Sequence, residues 1–215
     1  MLSVKRLTVN NFEENTYLII DEATKECAVV DPGMIKSHEL AALDRYIEGN
    51  GLKPTQVILT HGHIDHCFGA NYVKTKYGVP AKAHTNEQDM LRYLPEQAVR
   101  FGLGGIVKEG VEVDVPLNDG DRIAVGESEI NVIHIPGHSR GGIVLYDSAD
   151  GWAIVGDSIF RGSIGRTDLP GGDYDALTEN LKSKILTLPP ETVLFPGHGE
   201  ATTVGTESKT NPFLI

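Results

Sequence analysis

Only two cysteines, Cys27 and Cys67, occur in 215 residues. They cannot build a disulfide framework, and their spacing is not that of a zinc knuckle. Positive charge is also short: 19 lysines and arginines face 30 acidic residues, a formal net charge of -11. That balance argues against a nucleic-acid partner, because phosphate binding needs a basic face that releases counterions. Long apolar runs are missing as well. The run over residues 17–20 is far too short to span a bilayer. No apolar stretch of signal-peptide length follows the start Met1-Leu2-Ser3-Val4-Lys5-Arg6. The expectation is a cytoplasmic chain with no membrane and no nucleic-acid partner. With 40% hydrophobic and 23% charged residues, it has the balance of a globular protein. No linker or low-complexity tract divides it, so residues 1–215 are read as a single domain.

Histidine is concentrated where it occurs. Thr60-His61-Gly62-His63-Ile64-Asp65-His66 packs three imidazoles and a carboxylate behind the apolar run Val57-Ile58-Leu59. Imidazole nitrogen and carboxylate oxygen are the ligands that zinc and similar first-row metals prefer. Chance histidines in a polar loop would not cluster in this way, with an Asp among them and glycine freeing the backbone. Three further apolar runs lead into the same residue types. Val132-Ile133-His134-Ile135 precedes Pro136-Gly137-His138, Trp152-Ala153-Ile154-Val155 precedes Gly156-Asp157, and Thr192-Val193-Leu194-Phe195 precedes Pro196-Gly197-His198. If these strands share sheets, their carboxyl ends gather His61, His63, Asp65, His66, His138, Asp157 and His198. Seven ligands exceed what one tetrahedral zinc needs and suit two divalent ions sharing a carboxylate and a water. Zinc is the first choice, with iron or manganese as alternatives.

The rest of the chain reads as strands and helices around that loop. Residues 4–9, 15–21 and 27–31 are strand-like, and Asp31-Pro32-Gly33 is a turn signal. Leu40, Leu43 and Ile47 recur at helical spacing, as do apolar residues over 68–77. Thr85-Asn86-Glu87-Gln88 has the form of a capping box that opens a short helix. Residues 94–110 are glycine-rich and poorly patterned, and read as an insertion able to order on substrate or on a second subunit. A homo-oligomer is therefore left open. Residues 121–125 and 129–135 form a hairpin, and residues 143–147 and 152–155 form another. Asp173 caps a helix running to about residue 188, and a last short helix covers 204–210. Strands followed by a helix occur once in each half, which suggests an α+β chain of two similar layers.

The run His61-x-His63-x-Asp65-His66, with His138, Asp157 and His198 at later strand ends, resembles the metallo-β-lactamase superfamily over nearly the whole chain. The resemblance implies a four-layer αββα sandwich. It also implies a first metal held by His61, His63 and His138, a second by Asp65, His66 and His198, and Asp157 as the bridge. Gly156-Asp157-Ser158-Ile159-Phe160-Arg161-Gly162-Ser163-Ile164-Gly165-Arg166-Thr167-Asp168 resembles the glyoxalase II-like branch, and the closing run resembles its short members. Arg166 falls where glyoxalase II has a lysine contacting a glutathione carboxylate, and Asp168 stands at that family's tyrosine. The implied activity is hydrolysis of a small acidic thioester such as S-lactoylglutathione by a metal-bridged hydroxide, with Asp65 as the catalytic carboxylate and Arg166 binding the substrate. Gly165-Arg166-Thr167-Asp168 also resembles the persulfide dioxygenases, which hold one iron with the equivalents of His61, His138 and Asp157. A lactone or other thioester hydrolase is a third reading. A non-catalytic metal binder would normally have lost ligands, and none of the seven is missing.

Overall fold

The computed structural model describes residues 1–215. The chain runs through β1 (Leu2–Val9), β2 (Glu14–Asp21), β3 (Glu26–Val30), α1 (Ser37–Gly49) and β4 (Lys53–Leu59). Next come α2 (Ala70–Tyr77), β5 (Ala81–His84), α3 (Gln88–Arg92), α4 (Leu94–Arg100) and β6 (Val115–Leu117). The second half opens with β7 (Arg122–Val125), β8 (Ser128–His134), β9 (Ile143–Asp147) and β10 (Trp152–Gly156), then a small ribbon of β11 (Ile159–Phe160) and β12 (Ser163–Ile164). It closes with α5 (Tyr174–Asn180), β13 (Val193–Pro196), β14 (Thr202–Thr203) and α6 (Val204–Thr210).

Alternation along the strands makes the layers. Successive side chains leave a strand on opposite faces, so a strand buried on both sides feeds two cores. In β2, Leu18 and Ile20 join Leu43 and Ile47 of α1. Their neighbours Tyr17 and Ile19 pack instead against Ile130, Val132 and Leu145 of the other sheet. In β10, Trp152 and Ile154 face this middle core. Ala153 and Val155 face outward to Leu177 of α5 and Val204 of α6. The result is helices, sheet, sheet, helices, as expected for an αββα sandwich.

The first sheet has the order β1-β2-β3-β4-β5-β6 and the second β14-β13-β10-β9-β8-β7. Strands β3, β4, β5 and β6 pair in parallel, as do β10 and β13. Parallel neighbours present their carboxyl ends on the same edge, which is where the ligand-bearing loops begin. No helix is long and apolar enough to cross a membrane.

Three local expectations are corrected. Residues 94–110 are not irregular throughout, since α4 buries Leu94 and Ala98 one helical turn apart and Pro95 lies in its first turn, where a missing N–H is harmless. Thr85 to Gln88 is no capping box. His84 Nδ1 accepts from Asn86 N at 3.1 Å, while Glu87 turns its carboxylate inward, away from the local backbone. The helix begun at Asp173 ends at Asn180 and continues as a wider turn over Leu181–Ile185. The cap itself is as expected, with Asp173 Oδ1 accepting from Ala176 N at 3.0 Å.

Candidate metal centre

Four strand ends converge on one edge of the sandwich. The loop after β4 carries His61, His63, Asp65 and His66, and the turns after β8, β10 and β13 carry His138, Asp157 and His198. The sheets are tied together here. Ile143 N donates to Thr60 O at 2.9 Å and Asn15 N donates to Gly197 O at 2.7 Å. The buried Tyr17 hydroxyl donates to Pro196 O at 2.6 Å. Gly197 is required, because a β-carbon there would collide with Asp157 Oδ1 and the His66 ring.

The seven residues expected from the sequence lie together. His61, His63 and His138 offer nitrogens within 4.8 Å of one another, and so do the ligand atoms of Asp65, His66 and His198. Either group could hold an ion. Asp157 lies between the two groups, with Oδ1 3.4 Å from His66 Nε2 and Oδ2 3.7 Å from both His138 Nε2 and His198 Nε2. Asp65 Oδ2 is 3.2 Å from His198 Nε2.

Surrounding oxygens fix how the rings face. His138 Nδ1 lies 2.8 Å from Arg166 O, and His198 Nδ1 lies 2.9 Å from Phe12 O. A carbonyl only accepts, so each Nδ1 carries a proton and each Nε2 is the nitrogen turned to the cluster. His66 Nδ1 meets the carboxylate of Asp31 at 3.1 Å. His61 Nδ1 meets Thr60 Oγ1 at 3.0 Å, and that hydroxyl donates onward to Asp31 Oδ2. One buried carboxylate thus sets the tautomer of two imidazoles, as second-layer groups do for metal-binding histidines.

Asp31 also lies within 4.8 Å of ligand atoms of His61 and His66. Its oxygens are already engaged with the Thr60 amide, the Thr60 hydroxyl and His66, so it serves as an orienting group. The opposite faces of these rings lack partners. His61 Nε2 and His138 Nε2 face each other at 3.3 Å, two lone pairs in contact. His66 Nε2 and Asp157 Oδ1 are buried without a hydrogen-bond partner. Buried polar atoms of this kind are costly when left unsatisfied, and imidazole with carboxylate is the donor set for a metal ion.

The two groups differ electrically. Burial, reinforced by the neighbouring histidines, holds His61 well below the usual histidine range. Burial and His138 bring His63 down to about 3, and burial lowers His138. In the other group burial also opposes charge, but Asp157 and Asp65 outweigh it and raise His66 well above its ordinary value. Burial likewise opposes charge on His198, where Asp65 and Asp157 raise the pKa. Burial works against ionised Asp157 and Asp65 too, yet His66 outweighs it and both carboxyls stay low. The first group is a set of neutral donors, and the second is held by ion pairing that bound metal would replace.

Arg166 is placed differently from the seven. Its backbone carbonyl orients His138, while its exposed guanidinium makes a double hydrogen bond to Asp168 at 2.7 and 2.8 Å. Arg140 and Arg161 are exposed. His84 and His134 stack on each other, centroids 3.9 Å apart, outside the cluster. Cys67 is buried, and burial pushes its thiol well up.

Sequence reading passed over Asp31 and Glu87. Asp31 had a signal, since it ends a strand as the other candidates do, but it was taken for a turn residue. Replacing it by alanine strands the Thr60 amide, the Thr60 hydroxyl and the His66 ring N–H. Each stranded buried donor costs about 1–3 kcal/mol, so Asp31→Ala is expected to lose about 3 kcal/mol or more. Urea unfolding of metal-free protein measures this, and a loss under about 1 kcal/mol would remove the orienting role.

The comparisons agree with this geometry. A family model of the metallo-beta-lactamase superfamily matches residues 9–198. Hydroxyacylglutathione hydrolase GloC of Haemophilus influenzae is 36% identical over 216 residues, covering 99% of this chain and 98% of its own. The crystal structure of the B3 metallo-beta-lactamase BLEG-1 superposes with a TM-score of 0.89 at 32% identity, covering 99% of each chain. TTHA1623, solved in a di-iron-bound form, gives a TM-score of 0.86 at 37% identity over 98% of this chain and 100% of that one. These relatives carry different names, so the likeness reaches the family and stops short of a substrate. The chain belongs to the metallo-β-lactamase superfamily.

Proposed function

We propose that this chain is a binuclear metal-dependent hydrolase that cleaves a small acidic thioester of the S-lactoylglutathione type. His61, His63 and His138 would hold one ion, Asp65, His66 and His198 the other, and Asp157 would face both. The observation that carries the reading is the position of Asp157, whose two oxygens approach histidines of both groups. The thioester is supported by the Haemophilus influenzae relative, named a hydroxyacylglutathione hydrolase and similar over its whole length.

When bound, such an ion pair lowers the pKa of a water to about 7 and polarises a carbonyl oxygen. The chain supplies the orientation. Asp65, kept ionised by His66 and His198, accepts a hydrogen bond from the attacking water and aims it. The Phe160 ring, its centroid 6.4 Å from that of His198, sets an apolar side chain beside the second group. A thiolate leaves without help from an acid, and no further acid is needed for a thioester.

Arg166 is the cation proposed to meet the substrate carboxylate. It is exposed and already paired with Asp168, and exposed pairs are weak. Its contribution to binding should fall below that of a buried charge-assisted contact. Arg166→Ala is expected to raise KM by about fivefold or less with kcat unchanged. A fall in kcat with KM unchanged would remove Arg166 from substrate binding.

The test of the function is thiol release from S-lactoylglutathione by zinc-loaded protein. Saturable turnover, abolished by a chelator and restored by zinc, is the expected result. Oxygen uptake with glutathione persulfide and no thiol release would replace the hydrolase by an iron dioxygenase. No reaction with either compound would remove glutathione from the reading.

A further inference from the structure

Two glycines sit inside the loops that carry the first group of histidines. Gly62 separates His61 from His63, and Gly141 follows His138 by three positions. Both amides donate to one side chain. Gly62 N reaches Glu87 Oε2 at 2.7 Å, and Gly141 N reaches Glu87 Oε1 at 2.6 Å. Glu87 is fully buried and comes from neither loop, since it ends the tight turn Thr85–Glu87 after β5. The glycines are what let the amides approach. A β-carbon on Gly62 would lie 2.9 Å from Glu87 Oε2, and one on Gly141 would lie 2.8 Å from Glu87 Cγ.

A buried carboxylate is an expensive way to hold two loops together. Burial pushes the Glu87 carboxyl up, and Ser139 with the two amides draws it only part of the way back. An apolar residue would fill the same space but leave both buried amides without an acceptor. What a carboxylate adds is two directed acceptors on one rigid plane, which fix the loop carrying His61 and His63 relative to the loop carrying His138.

We propose that Glu87 is a positioning residue that, through the Gly62 and Gly141 amides, sets the spacing of His61, His63 and His138 for a metal ion. The inference rests on the ligand assignment made above and is independent of the substrate. Outer groups that orient metal ligands typically carry 10- to 100-fold of metal affinity. A residue that merely glued the fold would lower the stability of metal-free protein and weaken both groups of ligands alike.

Glu87→Gln keeps the shape but turns an NH2 toward one of the amides. Zinc affinity is read by competition with a chromophoric chelator, in the full chain and in a His198→Ala background that cripples the second group. The expected result is a loss of about 10- to 100-fold at the first group, with the second group unchanged. Gly141→Ala is the companion variant. Gly141 has no left-handed backbone requirement, so an alanine there is opposed mainly by contact with the Glu87 side chain and backbone. It should weaken the same group, and the double variant should lose less than the sum of the two. Unchanged zinc affinity in folded Glu87→Gln, or equal loss at both groups, would overturn the proposal. If Glu87→Gln does not fold, Gly141→Ala decides by the same two criteria. Wild-type protein binding a single zinc would sink the two-ion reading, while the effect of Glu87 would still be read at that ion.

Discussion

Asp65→Asn is expected to lower kcat for thioester cleavage by about 10²- to 10⁴-fold, the range for loss of a positioned proton acceptor. The substitution changes charge and little else. Asparagine has the same outline, and the backbone carbonyl of residue 65 still accepts from Asn10 Nδ2, at 3.0 Å in the native chain. The first group of histidines is left complete, so at least one ion should remain. Asp65 Oδ2 lies 3.2 Å from His198 Nε2 and 3.8 Å from His66 Nε2. An amide there turns either an oxygen without charge or an NH2 toward those rings. Steady-state kinetics with zinc content measured on the same sample separates the outcomes. Turnover at the wild-type rate would remove the orienting role from Asp65. A low rate with both ions lost would make Asp65 chiefly a ligand.

Removing metal should produce the second large effect, on stability as well as activity. Folded protein held at a thousandfold excess of free metal over its dissociation constant gains about 4 kcal/mol per site. For a chain of this length each kcal/mol moves the melting midpoint by roughly 2–4 °C, so emptying one site should lower it by roughly 8–16 °C and emptying both by roughly 16–32 °C. The physical source is visible in the apposed lone pairs of His61 and His138 and in the orphaned His66 Nε2 and Asp157 Oδ1. Differential scanning calorimetry with and without chelator makes the measurement. A midpoint that does not move would mean that these atoms are satisfied in some other way.

Much of the centre was legible in the sequence because each ligand follows an apolar strand directly. His61 to His66 come after Val57-Ile58-Leu59, and Asp157 and His198 come after equally apolar runs, so strand-end logic alone placed them on one edge. The support beneath them was not legible. Glu87 was read as half of a capping box because that pattern is judged within four residues, whereas its partners lie 25 and 54 positions away. Asp31 precedes Pro32-Gly33 and adopts a left-handed φ of 48°, so it carries every local mark of a turn. Its contacts with Thr60 and His66 exist only because β3 and β4 pair in parallel. Helix α4 escaped notice because only two of its residues, Leu94 and Ala98, are buried, too few to give a period. The resemblance to glyoxalase II gave Arg166 a substrate contact, while its partner two residues on, Asp168, is the nearer claim on that guanidinium.

The central claim is that two ions are held by two groups of ligands with Asp157 between them. An anomalous difference map from a crystal grown with zinc tests it directly. Two peaks are expected, one against His61, His63 and His138 and the other against Asp65, His66 and His198, both beside Asp157. A single peak in zinc-saturated crystals, or zinc bound away from these residues, would contradict it.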